Sequence, residues 1–451
     1  MEHQEQLAKL GLFDARVPRY TSYPTAPHFS DAVQDSYFQQ WVTALPDGGK
    51  VSLYLHIPFC RNLCWFCACR TQGTQTDSPV RGYLTHLKQE IALLGQNLPK
   101  GITLSRMHWG GGTPTLMAPD MIEELADAVF EILPLSKGAE FSVEIDPNQI
   151  DEARLDALMR KGMTRASVGI QDFHTDIQKT IGRIQSFEIT RDVIDMLRDR
   201  GIRSVNADIL FGLPHQSKER IAESVQKLLS LSPDRVALYG YAHVPWMAKR
   251  QQLIPTDALP TPVQRLQLFE TARRLFLWDG YREIGIDHFA KPGDGLDIAQ
   301  RTGRLRRNFQ GYTDDTAEAL IGLGASAISK FPQGFAQNAP ATADYVKRVK
   351  ERRFATSRGH VFAGEDLMRS RMIEALMCDF QIDRAEILRD FNPKPGQLDA
   401  LFAEVSAAFP DMLEISPAGL QIKKKGQALT RMIARTFDAY NLSKAGHSPA
   451  M

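Results

Sequence analysis

The stretch "SLYLHIPFCRNLCWFCAC" (52–69) carries two signals on one short segment. Its first half is an apolar run of strand-forming residues. Its second half holds Cys60, Cys64, Cys67 and Cys69, four of the five cysteines in the chain, with only Cys378 elsewhere. Such crowding is consistent with a disulfide knot, a zinc site, an iron–sulfur site or chance, and the surrounding sequence has to decide among them.

Composition narrows the choice. The chain has 451 residues, enough for two or three domains with a sizeable core. Hydrophobic residues make up 43% and charged residues 24%, the balance of a soluble globular protein, and the formal net charge of +1 gives no reason to expect nucleic acid as a partner. The N-terminus lacks an apolar signal region, and no apolar run reaches the roughly 18 residues a membrane helix needs. The expectation is a cytoplasmic, reduced protein, in which clustered cysteines are ligands or redox groups rather than disulfides.

Outward from the cysteines, strand-like runs alternate with amphipathic helical patterns. The runs are 51–57, 104–109, 140–146, 165–171, 204–212 and 235–241; between them lie helical stretches such as "DMIEELADAVFEIL" (120–133) and "KERIAESVQKLLSL" (218–231). This alternation predicts βαβ units and a parallel sheet, closed or partly closed into a barrel. The unusual residues gather at one edge of it. Cys60, "GGGTPT" (110–115), Glu144, Gln171, Asp208 and "YAHVP" (241–245) all fall at or just past strand ends, the barrel face where active sites are built. Beyond about residue 260 the alternation fades, 288–315 reads as a long loop, and from about 363 the pattern is mainly helical.

The spacing C-x3-C-x2-C of Cys60, Cys64 and Cys67 suits a cubane [4Fe–4S] cluster in which three irons take thiolates and the fourth stays open. Zinc would prefer two cysteine pairs separated by a longer loop. Phe66 is either a packing residue or a face to cover an adenine. With that aromatic, on the loop after the first strand of a β/α barrel, the motif resembles the radical S-adenosylmethionine enzymes. Further stretches, in order "RYTSYPTAPHFS" (19–30), "MHWGGGTPT" (107–115), "VEIDP" (143–147), "VGIQDF" (168–173), "DILFGLP" (208–214), "GIDHFA" (285–290) and "RNFQGYT" (307–313), resemble the oxygen-independent coproporphyrinogen III oxidases over nearly the whole chain. Trp65 and Ala68 depart mildly from the pattern, where tyrosine and glycine are frequent.

This resemblance implies an α/β fold, a partial (β/α)6 TIM-like barrel with an N-terminal extension (1–45), a catalytic barrel (46–355) and a smaller, mainly helical C-terminal domain (356–451). It implies a [4Fe–4S] cluster on Cys60, Cys64 and Cys67 and two molecules of S-adenosylmethionine. Tyr54, Gly111, Glu144 and Ile328 match positions around the first. Phe66, Gly112, Thr113, Gln171, Arg183, Asp208 and Ala242 match positions around the second. Cys69 is implied to matter for activity without binding the cluster, although a spare thiol is the plain alternative. Tyr20 and Tyr23 are implied to reach toward the active site; they could equally staple the N-terminus onto the barrel. The implied activity is oxidative decarboxylation of two propionates of coproporphyrinogen III to vinyl groups. The expected partners are that substrate and an electron donor such as a flavodoxin, with no nucleic acid or membrane, and a monomeric chain. The alternatives are a haem chaperone or a haem-degrading radical methyltransferase of the same superfamily.

From the residues alone, "GGG" (110–112) lets backbone approach a ligand or makes a tight turn. Glu144 and Asp208 suit ribose hydroxyls or an ammonium and Arg183 a carboxylate, against an alternative of salt bridging. His56, His108, His243 and His288 read as hydrogen-bonded core histidines rather than zinc ligands. "RLRRNFQGY" (304–312) is a candidate for meeting propionates or a solvated loop.

Overall fold

A computed structural model describes residues 2–440 and 450. Six parallel strands follow the sequence pattern closely: β1 (Lys50–Ile57), β2 (Thr103–Gly111), β3 (Leu135–Ile145), β4 (Arg165–Gln171), β5 (Ser204–Phe211) and β6 (Arg235–Gly240). Helices α1 (Ser78–Asn97), α2 (Pro119–Ile132), α3 (Glu152–Arg160), α4 (Phe187–Asp199), α5 (Lys218–Ser230) and α6 (Pro262–Trp278) cover the outside. Their starts are local chemistry. The Asp151, Ser186 and Ser217 side chains cap the first amides of α3, α4 and α5, and Thr261 with Gln264 forms a reciprocal capping box on α6.

Past α6 the sheet continues in antiparallel fashion with β7 (Arg282–Ile284), β8 (His288–Ala290), β9 (Ala319–Leu323), β10 (Ile328–Phe331), β11 (Gly334–Asn338) and β12 (Thr356–Val361). The order is β12-β11-β10-β9-β1-β2-β3-β4-β5-β6-β8-β7, with β9 parallel to β1. The two edge strands are not paired with each other, so the barrel is partial. The 288–315 segment is more structured than its sequence indicated. It contains β8, a helix (Gly295–Arg301) and a hairpin (Arg306–Asn308 with Gly311–Thr313). These pieces are too short for periodicity to register. The C-terminal helices (Asp366–Asp379, Arg384–Phe391, Gln397–Ala408, Thr430–Thr436) likewise enclose an unanticipated three-stranded sheet.

Strand side chains alternate with period two, and here the alternation is inverted relative to a barrel filled with apolar residues. Val51, Leu53, Leu55 and Ile57 of β1, Phe141, Val143 and Ile145 of β3, and Val205, Ala207 and Ile209 of β5 are buried in the core cluster shared with the helices. The residues between them, Ser52, Tyr54 and His56, then Glu140, Ser142 and Glu144, then Asn206 and Asp208, line the inside. The hydrophobic core is therefore the shell between sheet and helices, and the barrel lumen is polar. The N-terminal residues divide. Val33, Phe38 and Trp41 join the barrel core, whereas Leu7, Leu12, Val17, Tyr20 and Tyr23 pack with the C-terminal helices. Among the described residues no helix is long and apolar enough to cross a membrane.

One buried carboxylate anchors the turn that follows β9. Glu90 on α1 accepts from the Gly324 amide (2.8 Å), the Tyr345 hydroxyl (2.8 Å) and the Asn338 amide (2.7 Å). Burial dominates over these donors and pushes Glu90 up to about 7. Folding thus favours the protonated form. The stability this contributes is fully present below the ordinary carboxyl range and is lost as pH rises through about 7. Glu90→Gln, which cannot ionise, is expected to gain on the natural protein by on the order of 3 kcal/mol between about pH 4 and pH 8. Denaturant titrations across that range check this, and parallel pH profiles would refute it.

Candidate active site

The inward-facing side chains surround an open cavity. Its floor is a charge network. Arg106 pairs with Glu140 (3.1 Å), Asp314 (2.6 Å) and Asp315 (3.7 Å), Arg165 with Glu140 (3.4 Å), and Arg235 with Asp294 (2.8 Å). Burial disfavours the Glu140 carboxylate, but the Arg165 and Arg106 guanidinium groups overcome that and hold it down to about 2.

Above the floor, Tyr54 stacks on His108 (centroids 5.9 Å apart, planes 14° apart). The Tyr54 hydroxyl meets His56 Nδ1 at 3.0 Å. His108 touches Ser142 Oγ (3.0 Å) and Glu144 Oε1 (3.4 Å). His243 and His288 are also engaged by protein groups, through Tyr241 and Asp287. Asp208 accepts from Asn206 (2.9 Å) and Ser167 (3.4 Å), and burial raises its carboxyl above the ordinary value. Burial works on Glu144 in the same sense. His108 and the Gly111 amide (3.0 Å) outweigh it and keep this carboxyl below its ordinary value. Its side chain is 42% exposed and lines the cavity.

The glycine run at the end of β2 lets the protein's own groups pack closely against it. A Cβ on Gly111, whose φ is +107°, would meet the His56 ring at 2.4 Å; one on Gly112 would meet the Phe59 carbonyl at 2.4 Å. This lets the Gly112 and Thr113 amides donate to the Ile57 and Phe59 carbonyls (2.8 and 2.7 Å), clamping the entry to the cysteine loop. The far side of the loop is fixed by the Trp65 amide donating to Ile181 (2.9 Å). Gln251, 1% exposed, donates to the Phe66 (2.7 Å) and Ala242 (3.1 Å) carbonyls and accepts from the Val244 amide (2.6 Å).

Between these clamps sit free thiols at Cys60, Cys64, Cys67 and Cys69. Burial pushes the Cys60 thiol up to about 11. Cys64 Sγ lies 3.6 Å from Arg183 Nη1. Cys67 Sγ accepts from the Cys69 amide (3.4 Å), and the Cys69 thiol holds Cys67 below its ordinary value. Cys69 itself lines the cavity. Three partly buried thiols on one clamped loop, two with donors aimed at sulfur, are the kind of ligand a [4Fe–4S] cluster takes. Such clusters take cysteine thiolates and are tuned by hydrogen bonds to them.

The other expected residues are placed as follows. Tyr54, Gly111, Glu144, Asp208 and Ile328 line the cavity with Cys69. Phe66 packs in a satellite apolar cluster with Trp65, Ile177 and Ile181. Thr113 is buried, and Ala242 is held by Gln251. Gln171 ends β4 with φ of +72°, a left-handed conformation unusual outside glycine. Arg183 has its own carboxylate partner, Asp146 (3.1 and 3.4 Å), and also donates to the Gly169 carbonyl (2.9 Å). Tyr20 and Tyr23 are not brought to this cavity. Their hydroxyls engage Asp438 (2.9 Å) and the Ala439 amide (3.0 Å), and the two residues line a smaller pocket that shares Asn308, Phe309 and Leu320 with it. Sequence reasoning missed Asp146 and Gln251. Asp146 lies inside the quoted "VEIDP", but Gln251 has no local signal at all.

Comparison with known proteins agrees with this geometry. Residues 54–228 match the radical SAM superfamily. The oxygen-independent coproporphyrinogen III oxidase of Paracoccus denitrificans is 64% identical over 451 residues, covering 100% of both chains. The chain belongs to the oxygen-independent coproporphyrinogen III oxidase family. A second relative of the same description, from Cereibacter sphaeroides, is 59% identical over 437 residues, 97% of each chain. The solved coproporphyrinogen III oxidase from Escherichia coli, described as a radical SAM enzyme, superposes with a TM-score of 0.90 at 35% identity, covering 95% of this chain and 100% of that one. A [4Fe–4S] cluster and S-adenosylmethionine are the cofactors this membership brings. Truncating Gln251 to Ala would leave two carbonyls and an amide unpartnered beside the cysteine loop. It is expected to cost about 2–4 kcal/mol and to lower iron retained after anaerobic gel filtration. Unchanged stability and iron content would contradict the clamp.

Proposed function

We propose that this protein catalyses oxygen-independent oxidative decarboxylation of two propionates of coproporphyrinogen III to vinyl groups, releasing carbon dioxide and yielding protoporphyrinogen IX. The observation that carries this reading is a clamped three-cysteine loop at the mouth of a polar barrel, in a chain 64% identical from end to end to an enzyme of that description. Cys60, Cys64 and Cys67 hold the cluster, which together with S-adenosylmethionine supplies a one-electron route to a hydrogen-abstracting radical.

The chain's own residues do the rest. Tyr54, Gly111, Glu144 and Ile328 surround the first S-adenosylmethionine, with Glu144 kept ionised by His108 and Gly111 to receive an ammonium or hydroxyls. Phe66, Gly112, Thr113, Gln171, Arg183, Asp208 and Ala242 serve the second. Asp146 fixes Arg183 against Cys64, so the guanidinium offsets thiolate charge. Cys69, beside Cys67 and lining the cavity, acts on substrate rather than on the cluster. Tyr20 and Tyr23 act by locking the N-terminal segment to residues 438–440 next to the cavity. The working form is a cytoplasmic monomer reduced by a flavodoxin-like donor, with divisions near residues 45 and 355.

The test is anaerobic turnover of reconstituted, reduced protein with S-adenosylmethionine and coproporphyrinogen III. Protoporphyrinogen IX and 5′-deoxyadenosine are expected together, and both are expected to vanish in Cys64→Ser. Deoxyadenosine without decarboxylated product would overturn the substrate. Absence of both from a protein with full iron content would favour a haem chaperone.

A further inference from the structure

The arginines of the barrel fall into two groups. Those of the floor are neutralised by Glu140, Asp294, Asp314 and Asp315. Those above the C-terminal ends of β5 and β6 are not. Arg19 is held on both sides, because Arg431 Nε donates to the Pro18 carbonyl (3.0 Å) and Tyr20 is fixed to Asp438. Its guanidinium donates to the Gly240 carbonyl at the end of β6 (2.5 Å), 221 residues away. It retains accessible surface although protein surrounds it, and Tyr239 of the cavity wall, Asp287 and Arg307 are within electrostatic reach.

Arg265, on α6, donates to the carbonyls of Gly212 (3.2 Å) and Tyr241 (2.8 Å), at the ends of the same two strands, and its Nε is buried without a partner. Burial and the neighbouring Arg19 push it down to about 10. Among the described residues neither Arg19 nor Arg265 has a carboxylate at ion-pairing distance. Arg307 has Asp287 at 3.5 Å, shared with His288, and its Nε is also buried and unpartnered. Arg19, Arg307 and Arg431 thus lie in reach of the single carboxylate of Asp287, and Arg265 beside Arg19 has none. Holding like charges together is costly unless an anion completes the site.

We propose that Arg19 and Arg265, backed by Arg307, form the subsite for a carboxylate of the tetrapyrrole, one of the propionates that does not react. This rests on the decarboxylase reading above. The substrate carries four propionates and transforms two, so two remain as permanent anions by which it can be anchored and oriented. Arginine suits that task because it binds a carboxylate through parallel N–H donors. With this anchor above β5 and β6, the opposite edge of the macrocycle falls toward the cysteine loop after β1, across the shared cavity. The floor arginines, already paired, are unavailable for the role.

The test uses the reconstituted holoenzyme and coproporphyrin III, the stable oxidised tetra-acid, titrated by fluorescence quenching alongside its tetra-carboxamide. Arg19→Ala and Arg265→Gln are each expected to weaken binding of the acid by about 10- to 100-fold, with the carboxamide affected less than twofold. Arg19→Lys is expected to recover part of the loss. Iron content and melting temperature, measured alongside, should stay at their natural values. Acid binding within twofold of the natural protein in both variants would overturn the subsite, as would equal losses for acid and carboxamide, which mark a purely structural role. If the natural protein decarboxylates the substrate and the variants bind normally, the subsite alone fails. If the natural protein neither binds coproporphyrin III nor turns over, the decarboxylase reading fails and takes the subsite with it.

Discussion

The structure depends on one constraint: a parallel barrel that turns its polar residues inward must neutralise what it buries. The apolar side chains of β1 to β6 point outward to the helices, so the fold is secured by the shell, and the lumen contributes little hydrophobic stabilisation. The Arg106–Glu140–Arg165 network meets the constraint at the floor. Removing one partner there would leave a buried charge uncompensated, which costs far more than the pair itself contributes.

At the opposite edge the same constraint is deliberately unmet. Glu144, Asp208 and Cys69 line an open cavity, and Arg19 and Arg265 stand without a carboxylate partner at the ends of β5 and β6. Preorganised groups of this kind are useful because the ligand, not solvent reorganisation, completes them. What keeps them in place is backbone hydrogen bonding from distant elements. The Gly112 and Thr113 amides hold the start of the cysteine loop, Ile181 and Gln251 hold its far side, and Asp146 steers Arg183 onto Cys64. The cysteine loop is therefore held by distant segments of the chain rather than by its own ten residues.

Much of this was legible in the sequence, for identifiable reasons. The six parallel strands were visible because each is an apolar run punctuated by a helix with clear periodicity and caps. The largest boundary difference is at β3, which begins at Leu135 within the polar "LSKGA" and not at Glu140. The hairpin at 306–313 and the strands at 381–383, 413–416 and 419–422 escaped because three or four residues carry no usable period and their pairing is set by distant partners. The cysteines were legible because their spacing is local. Gln251 was not, since its bond to Phe66 spans 185 residues and a lone glutamine looks like loop. The glycine run at 110–112 was read as a ligand approach or a tight turn, and its neighbours in the fold are His56 and the Phe59 carbonyl.

The central claim is that three thiols of one loop grip a cubane cluster whose fourth iron is left for S-adenosylmethionine. Electron paramagnetic resonance of the anaerobically reduced protein, recorded with and without S-adenosylmethionine, tests it most directly. The account predicts about four irons and four sulfides per chain. It also predicts a reduced-cluster signal whose g-values shift when S-adenosylmethionine is added, both being lost when Cys60, Cys64 or Cys67 is changed to serine but not when Cys69 is. A signal indifferent to S-adenosylmethionine, or a cluster that survives loss of one of those three thiols and requires Cys69 instead, would contradict it.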